Sequence, residues 1–297
     1  MKVIGLGKER VSDFVLYCKK HRMEIDDSYL YDMDLQEFEV SEDHPTYIVT
    51  NEKEEIVAAA SLVLDDYHRR GKRARFRIFH SEMEDIQVYQ HLLQALLNHT
   101  SDLDKIFLFI PVVNKKLTDA IEGLKFTLDR YSFVLVREDL DLSEMGLPVG
   151  YELRPFRPGE DEENWRLVRN AAFATLKGSE TPITIEGVTK LLTDHDYLEG
   201  GMMLLFHQGH PVGVIRGADD EYENSPIMNI GPVAIIPAYQ GLGLGRSLLR
   251  ASLKFAKEQG YKRTILSVNG ENERAQALYI KEGFKQVEAV ACYHYFL

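Results

Sequence analysis

A chain of 297 residues exceeds what one compact core usually organises, so its length points to two domains of about 150 residues each. Hydrophobic residues at 44% and charged residues at 28% exclude a disordered tail. With 35 Lys plus Arg against 47 Asp plus Glu, the net charge of -12 repels phosphate backbones and argues against nucleic-acid partners, leaving small neutral or cationic ones.

In chain order, the first half reads as a helix around Val11 to Cys18, an acidic helical segment from Tyr29 to Phe38, and strands at Thr46 to Thr50 and Ile56 to Leu64. The basic run His68-Arg69-Arg70-Gly71-Lys72-Arg73 reads as a hairpin tip in water. A strand at Ala74 to Phe79, a helix at Val88 to Asn98, a strand at Ile106 to Ile110 and a segment from Asn114 to Phe126 follow. The acidic stretch Glu138 to Glu144 then runs into Met145-Gly146-Leu147-Pro148, which places the joint near Gly146 and the domains at 1–145 and 146–297.

The second half opens with a strand at Tyr151 to Arg154. Helices at Glu160 to Thr175 and Ile183 to Leu192 precede a hairpin of Met202 to Phe206 and Val212 to Ile215. A strand from Ile227 to Ile236 leads into a helix from Gln240 to Gln259 that Gly260 stops. Thr264 to Val268 is a strand, Asn272 caps a helix ending before Gly283, and Val287 to Leu297 closes the chain as a strand. The class is α/β with a central sheet. Asn114 to Phe126 parallels Asn272 to Phe284, and a duplicated domain accounts for both the length and the repeated order.

Cys18 and Cys292 alone give neither a disulfide framework nor the repeated Cys/His spacing of a zinc site, so no metal is expected and a reducing cytoplasm fits. Met1 to Lys8 lacks the apolar stretch of a signal peptide, and no apolar run approaches the roughly 20 residues that span a bilayer. No membrane partner is expected.

The most informative segment is Val233-Ala234-Ile235-Ile236-Pro237-Ala238-Tyr239-Gln240-Gly241-Leu242-Gly243-Leu244-Gly245-Arg246: a strand, a glycine loop and a helix start in succession. It gathers unpaired main-chain N–H groups and a helix N-terminus around one small volume, which suits a pyrophosphate. A P-loop is excluded because Gln240 holds the first glycine position and Arg246 the lysine position. A dinucleotide fold is disfavoured because Gly241, Gly243 and Gly245 alternate and only 51 residues follow Arg246. A plain turn before an ordinary helix is the remaining alternative on the loop alone.

The second element decides: Asn272-Glu273-Arg274-Ala275-Gln276-Ala277-Leu278-Tyr279 followed by Ile280 to Phe284. Together, Gln-x-x-Gly-x-Gly after a strand and Asn-x-x-Ala-x-x-Leu-Tyr-x-x-x-Gly-Phe resemble the GNAT superfamily of acyl-CoA-dependent N-acetyltransferases. The resemblance covers about Tyr151 to Leu297 strongly and the first half only in its order of elements. The tandem arrangement, with Phe156-Arg157-Pro158-Gly159 opening the second copy, is most similar to the mycothiol synthase-like branch, from which Ser267 and Asn269 depart.

The resemblance implies two tandem GNAT-like domains, each a mixed, mostly antiparallel sheet flanked by helices, the first degenerate. It implies acetyl-CoA as co-substrate, with Gln240, Gly241, Leu242, Gly243, Leu244, Gly245 and Arg246 holding the pyrophosphate and the main chain of Val233, Ala234 and Ile235 along the pantetheine arm. Asn272 would contact pantetheine or merely cap its helix, and Tyr279 would be the acid that protonates the leaving thiolate, or would only fill space. The acceptor would be a primary amine of a small molecule or peptide, attacking directly. No acid lies in Met228 to Val233, so the base is open among Asp219, Asp220, Glu221 and Glu223, read as a connecting loop, with His294 a further candidate. The first half has no glycine loop: after Phe79 come His80-Ser81-Glu82-Met83-Glu84-Asp85, whose acids would repel a pyrophosphate. That half is expected to pack on the second and close its cleft. The alternative to an enzyme is a non-catalytic acyl-CoA sensor or partner-binding protein.

Overall fold

A computed structural model describes residues 2–83, 85–140 and 146–297. They form two compact units, one of residues up to Ser132 together with Ala289–Leu297, the other of Phe133–Glu288. These bounds differ from a single cut at 145/146, which adjoins residues 141–145, outside the described ones. The last nine residues belong to the first unit because the closing strand pairs there, a long-range pairing that local patterning does not register.

The first unit contains β1 (Val3–Gly5), α1 (Val11–His21), α2 (Asp32–Gln36), β2 (Thr46–Thr50), β3 (Ile56–Val63), α3 (Asp66–Arg70), β4 (Arg73–Ser81), α4 (Ile86–Leu97), β5 (Lys105–Pro111), α5 (Lys115–Gly123) and the start of β6 (Thr127–Arg137). The second contains the end of β6, then β7 (Tyr151–Pro155), α6 (Glu162–Phe173), α7 (Ile185–Lys190), β8 (Tyr197–His207), β9 (His210–Tyr222), β10 (Ser225–Ile235), α8 (Leu244–Glu258), β11 (Thr264–Asn269) and α9 (Glu273–Lys281). Strand β12 (Lys285–Phe296) closes the chain.

Sheet order in the first unit is β1-β2-β3-β4-β5-β12-β6, and in the second β6-β11-β10-β9-β8-β7. Each is mostly antiparallel and includes a parallel pair, β4 with β5 in the first and β10 with β11 in the second. Val290–Phe296 pair antiparallel with Pro111–Lys105, which fixes β12 in the first sheet.

Alternation along the strands divides the second unit's core into two layers. Leu204, Val214 and Ala234 pack with Trp165, Val168 and Val188 from α6 and α7. Their neighbours Leu205, Ile215 and Ile235 pack with Leu244, Leu248, Leu249 and Leu253 from α8. Helix α8 keeps an apolar face at these 3.6-residue intervals, so its start is held where β10 ends.

Three sequence expectations change. Asp219, Asp220 and Glu221 belong to β9, whose hairpin to β10 turns at Glu223 and Asn224, both with positive φ (54° and 55°). The polar composition there reflects a strand running beyond the core rather than a loop. The basic run is the end of a short helix, a turn at Gly71–Lys72 and the start of β4: Asp65 accepts from the His68 amide at 2.9 Å, His68 is buried, and Arg73 lies over the Tyr67 and Phe107 rings. Strands β1 and β6 carry no clear period-2 signal and were not expected.

Candidate acyl-CoA site

Strand β10 pairs with β9 from Ser225↔Tyr222 to Ile235↔Gly213, with a register shift between Ile230 and Val233. Its parallel ladder with β11 consists of Met228↔Thr264 and Asn229↔Ile265, although β11 runs on to Asn269. Beyond Asn229 the two strands part. Val233, Ala234 and Ile235 therefore have β9 on one side and no β11 ladder on the other, an edge that an extended amide-bearing ligand can add to. The Gln240 side chain donates to the Ile235 carbonyl at 3.0 Å and pins the loop to the end of the strand.

Gly241 and Gly243 sit at φ 88° and 81°, where side-chain-bearing residues are strained. Gly243 is the N-cap of α8 and no side chain caps the helix. Its carbonyl accepts from Arg246 N at 3.0 Å and Ser247 N at 3.3 Å, which tightens the first turn. The amides of Gly241, Leu242, Gly243, Leu244 and Gly245 meet no acceptor among the described residues. Five orphan donors at the positive end of a 15-residue helix form a site for a multiply charged anion.

The side chains around the loop have separate duties. Leu244 is buried in the core, so only its amide is offered. The Arg246 side chain turns to Glu282 at 2.9 Å, and Arg250 holds the same buried carboxylate through bonds of 2.6 and 3.1 Å. Arg274 makes no ion pair with a described residue, and its Nη2 lies 2.9 Å from where a Gly241 Cβ would stand. Sequence reasoning passed over Arg274; its signal was a cation on the first turn after Asn272.

Asn272 caps α9, its Oδ1 accepting from Ala275 N at 3.1 Å. This is the capping role read from the sequence. Tyr279 is buried on that helix, its ring edge-to-face with Phe284 at 6.0 Å. The Gly-Phe that follows closes the helix: Phe284 N donates to Tyr279 O at 3.0 Å and Gly283 N to Ile280 O at 3.0 Å, with Gly283 at φ 87°. The Tyr279 hydroxyl bonds to no described residue, and burial pushes its pKa up to about 12. A phenol so placed stays protonated at neutral pH and has its proton to give.

Among the acids considered for the base, Asp219 accepts from the Tyr261 hydroxyl, and Glu223 lies 3.3 Å from Arg263. Asp220 differs. Its Oδ2 accepts from Asn229 Nδ2 at 2.8 Å, and burial raises its pKa despite that bond. Asn229 is the last β10 residue in the ladder with β11, so this carboxylate is tied to the point where the strands part. His294 lies in the first unit, 3.5 Å from Asp129.

The first unit repeats the frame without the loop. Strands β4 and β5 share three parallel pairs, Arg73↔Lys105 to Arg75↔Phe107. Helix α4 is capped by Asp85, whose carboxylate accepts from Gln87 N at 2.9 Å and occupies the place an anion would take; Glu84 lies outside the described residues. The metal-ligating types His21, Glu24 and His80 also converge in this unit, a grouping made by the end of α1, the 3-10 turn Arg22–Glu24 after it and β4, which linear spacing does not reveal.

Residues 170–284 match the Acetyltransferase (GNAT) family, and the matched segment spans the loop, Asn272 and Tyr279. The chain carries a GNAT-family domain. It is 35% identical over 148 residues to a mycothiol acetyltransferase of Paenarthrobacter aurescens, covering 48% of this chain and 45% of that protein. The chain spans about half the length of the curated relatives it matches. A GCN5-related N-acetyltransferase from Sphaerobacter thermophilus has the same fold, with TM-score 0.72, 16% identity, and 99% and 95% of the two chains covered. So does a tandem GNAT protein from the clavulanic acid biosynthesis pathway, with TM-score 0.69, 14% identity, and 99% and 98% covered. The fold is that of tandem GNAT proteins. No helix among the described residues is long and apolar enough to cross a membrane.

Proposed function

We propose that this protein transfers an acetyl group from acetyl-CoA to a primary amine of a small molecule or peptide, by direct attack of the amine on the thioester, in its second unit. The observation that carries this reading is the set of five amides from Gly241 to Gly245 that meet no acceptor among the described residues, beside the open edge Val233–Ile235. The amides, with the main chain of Gln240 and Arg246 flanking them, take the pyrophosphate, and Arg274 adds positive charge at the same mouth. The open edge holds the pantetheine amides and aims the thioester at the point where the strands part.

Attack forms the carbon–nitrogen bond and breaks the carbon–sulfur bond. The departing thiolate takes its proton from the Tyr279 hydroxyl, and the amine's proton leaves towards Asp220, directly or through water. Asn272 serves by fixing the helix that presents Tyr279. Relatives named mycothiol acetyltransferase agree with a small-molecule amine, while Ser267 and Asn269 leave the particular amine to be identified.

Titration calorimetry with coenzyme A and turnover of labelled acetyl-CoA against polyamines, aminoglycosides, amino acids and peptides test the reading. Binding of one coenzyme A, lost on changing the loop, together with transfer to at least one amine, is expected. Absence of coenzyme A binding would refute it, and binding without transfer would make the protein a sensor instead.

A further inference from the structure

The first unit holds a cavity of about 560 Å³ among the end of β4, the start of α4 and the cap of α5. These elements correspond to those that frame the glycine loop in the second unit: the parallel strand, the helix after it, and an Asn-capped helix, here capped by Asn114. The chemistry lining the cavity is different. Where the second unit offers bare amides, this wall carries His21, Glu24, His80 and Glu82.

Three of these groups converge. His21 Nδ1 lies 2.8 Å from Glu24 Oε1, and His80 Nε2 lies 3.4 Å from Glu24 Oε2. One donor atom from each residue falls within 4.8 Å of the others. Donors around a tetrahedral Zn²⁺ at the usual ~2.0–2.1 Å bond length stand about 3.4 Å apart, so small side-chain rotations bring the three onto one ion.

The remaining ring nitrogens are also accounted for. His21 Nε2 lies 2.9 Å from Glu82 Oε1, and His80 Nδ1 lies 2.7 Å from the Tyr17 hydroxyl. Each imidazole thus turns one nitrogen to Glu24 and anchors the other on an oxygen, which is how metal-bound histidines are held in tautomer and orientation. The two rings stack with centroids 4.2 Å apart, and both side chains are 7% exposed, so neither swings freely. Glu24 is 56% exposed and opens the group to the cavity.

We propose that His21 Nδ1, His80 Nε2 and the Glu24 carboxylate bind one divalent transition-metal ion of the zinc type, with Glu82 and Tyr17 as positioning residues and an open coordination position facing the cavity. Two imidazoles and one carboxylate favour zinc-like ions over magnesium or calcium, which take all-oxygen sites. The site does not depend on acetyl transfer by the second unit.

The test uses the untagged full chain, stripped with a chelator and titrated with Zn²⁺ by calorimetry and with Co²⁺ by absorption. One equivalent of Zn²⁺ should bind, and bound Co²⁺ should show the intense visible bands of a four- or five-coordinate ion, abolished by added Zn²⁺. His80→Ala and Glu24→Gln should each weaken binding by more than about 100-fold. Tyr17→Phe should weaken it by about 10–100-fold with unchanged stoichiometry, as loss of an orienting partner does. Because Glu24 is half in solvent, Glu24→Gln keeps the test open if His80→Ala does not fold. Zn²⁺ binding by Glu24→Gln at parental strength, no heat from the parent, or a Co²⁺ spectrum of the hexa-aquo type would each overturn the proposal and leave a purely hydrogen-bonded His–Glu network.

Discussion

Ile121 occupies in the first unit the helical position that Tyr279 occupies in the second. Each stands seven residues after a capping asparagine, Asn114 or Asn272. Each gives its carbonyl to a phenylalanine amide in the closing turn, Phe126 at 3.1 Å and Phe284 at 3.0 Å. The helix, cap and closing turn recur while the hydroxyl does not. An isoleucine cannot protonate a thiolate, so the repeat preserves architecture without the hydroxyl proposed as the acid.

Tyr279→Phe therefore isolates the chemistry. The hydroxyl has no hydrogen bond to lose among the described residues, so stability should change by less than about 0.5 kcal/mol. Turnover should fall by about 10²–10⁴-fold with coenzyme A affinity retained. With the phenol pKa up at about 12, the parent should show no alkaline loss of turnover from this group until pH approaches that value. Steady-state rates beside calorimetry check this; a mutant as fast as the parent removes Tyr279 from the mechanism.

Asn272 makes a structural contribution that carries over to function. Its Oδ1 satisfies one of the orphan amides of α9, and Asn272→Ala should cost about 1 kcal/mol in chemical denaturation. Asn272→Ser should recover most of that loss. A restored cap with restored activity would mark the residue as a positioning group, whereas restored stability with activity still lost would point to direct pantetheine contact.

What the sequence made legible follows from how local each signal is. The loop, the Asn272 cap and the Gly283-Phe284 stop are written in contiguous residues, because φ preference and capping are settled within a few positions. Strand β6 and the pairing of β12 with β5 depend on partners far along the chain, and period-2 patterning there is weak. The placement of Asp220 is obscured for the same reason: charged residues at the end of a long hairpin look like a loop until Ile227 is found opposite and the Asn229 side chain, two residues further on, bonds to the carboxylate. The His21, Glu24 and His80 group has no linear spacing to read, since it is assembled from a helix end and a distant strand.

Two glycines should separate backbone need from room for ligand. Gly243→Ala meets no atom within 4 Å but forces a side chain to φ 81°, which should cost about 1–2 kcal/mol of stability. Gly245 has no positive φ, and a Cβ there would meet only Leu278 Cδ2 at an ordinary 3.6 Å. Gly245→Ala should leave the denaturation midpoint unchanged or slightly raised and still weaken coenzyme A binding if the pyrophosphate lies against this helix start as proposed. Undiminished affinity in Gly245→Ala would displace the phosphates from this helix start.

Acid stability should depend on Asp161. Its buried carboxylate accepts from Arg154 at 2.6 and 2.9 Å, from Arg157 N at 2.9 Å and from Asn164 at 3.1 Å, and the Arg154 pair chiefly holds its pKa well below the usual 3.8. A depressed folded pKa contributes stability that is present above about pH 4 and lost as pH falls towards the folded value. Asp161→Asn should cost about 3 kcal/mol or more at neutral pH, through the arginines left uncompensated, and should flatten the stability profile below pH 4. Denaturant titrations at a series of pH values decide it.

Asp220 offers the sharpest contrast between fold and function. Burial raises its pKa above 3.8. Its neutral form thus supports the fold best, and stability from this group is lost as pH rises through the folded pKa. Asp220→Asn removes that loss and should leave the protein equally or slightly more stable at pH 7. As the proton acceptor, Asp220 works only when ionised, so parental turnover should climb with pH as the carboxyl ionises. The variant should lack that limb and be slower by about 10²–10⁴-fold. A residue kept for its bond to Asn229 alone would show the reverse, a weaker fold and an unaltered pH profile. Measuring both quantities on the one variant distinguishes the two outcomes, and an unchanged profile would return the base to another group.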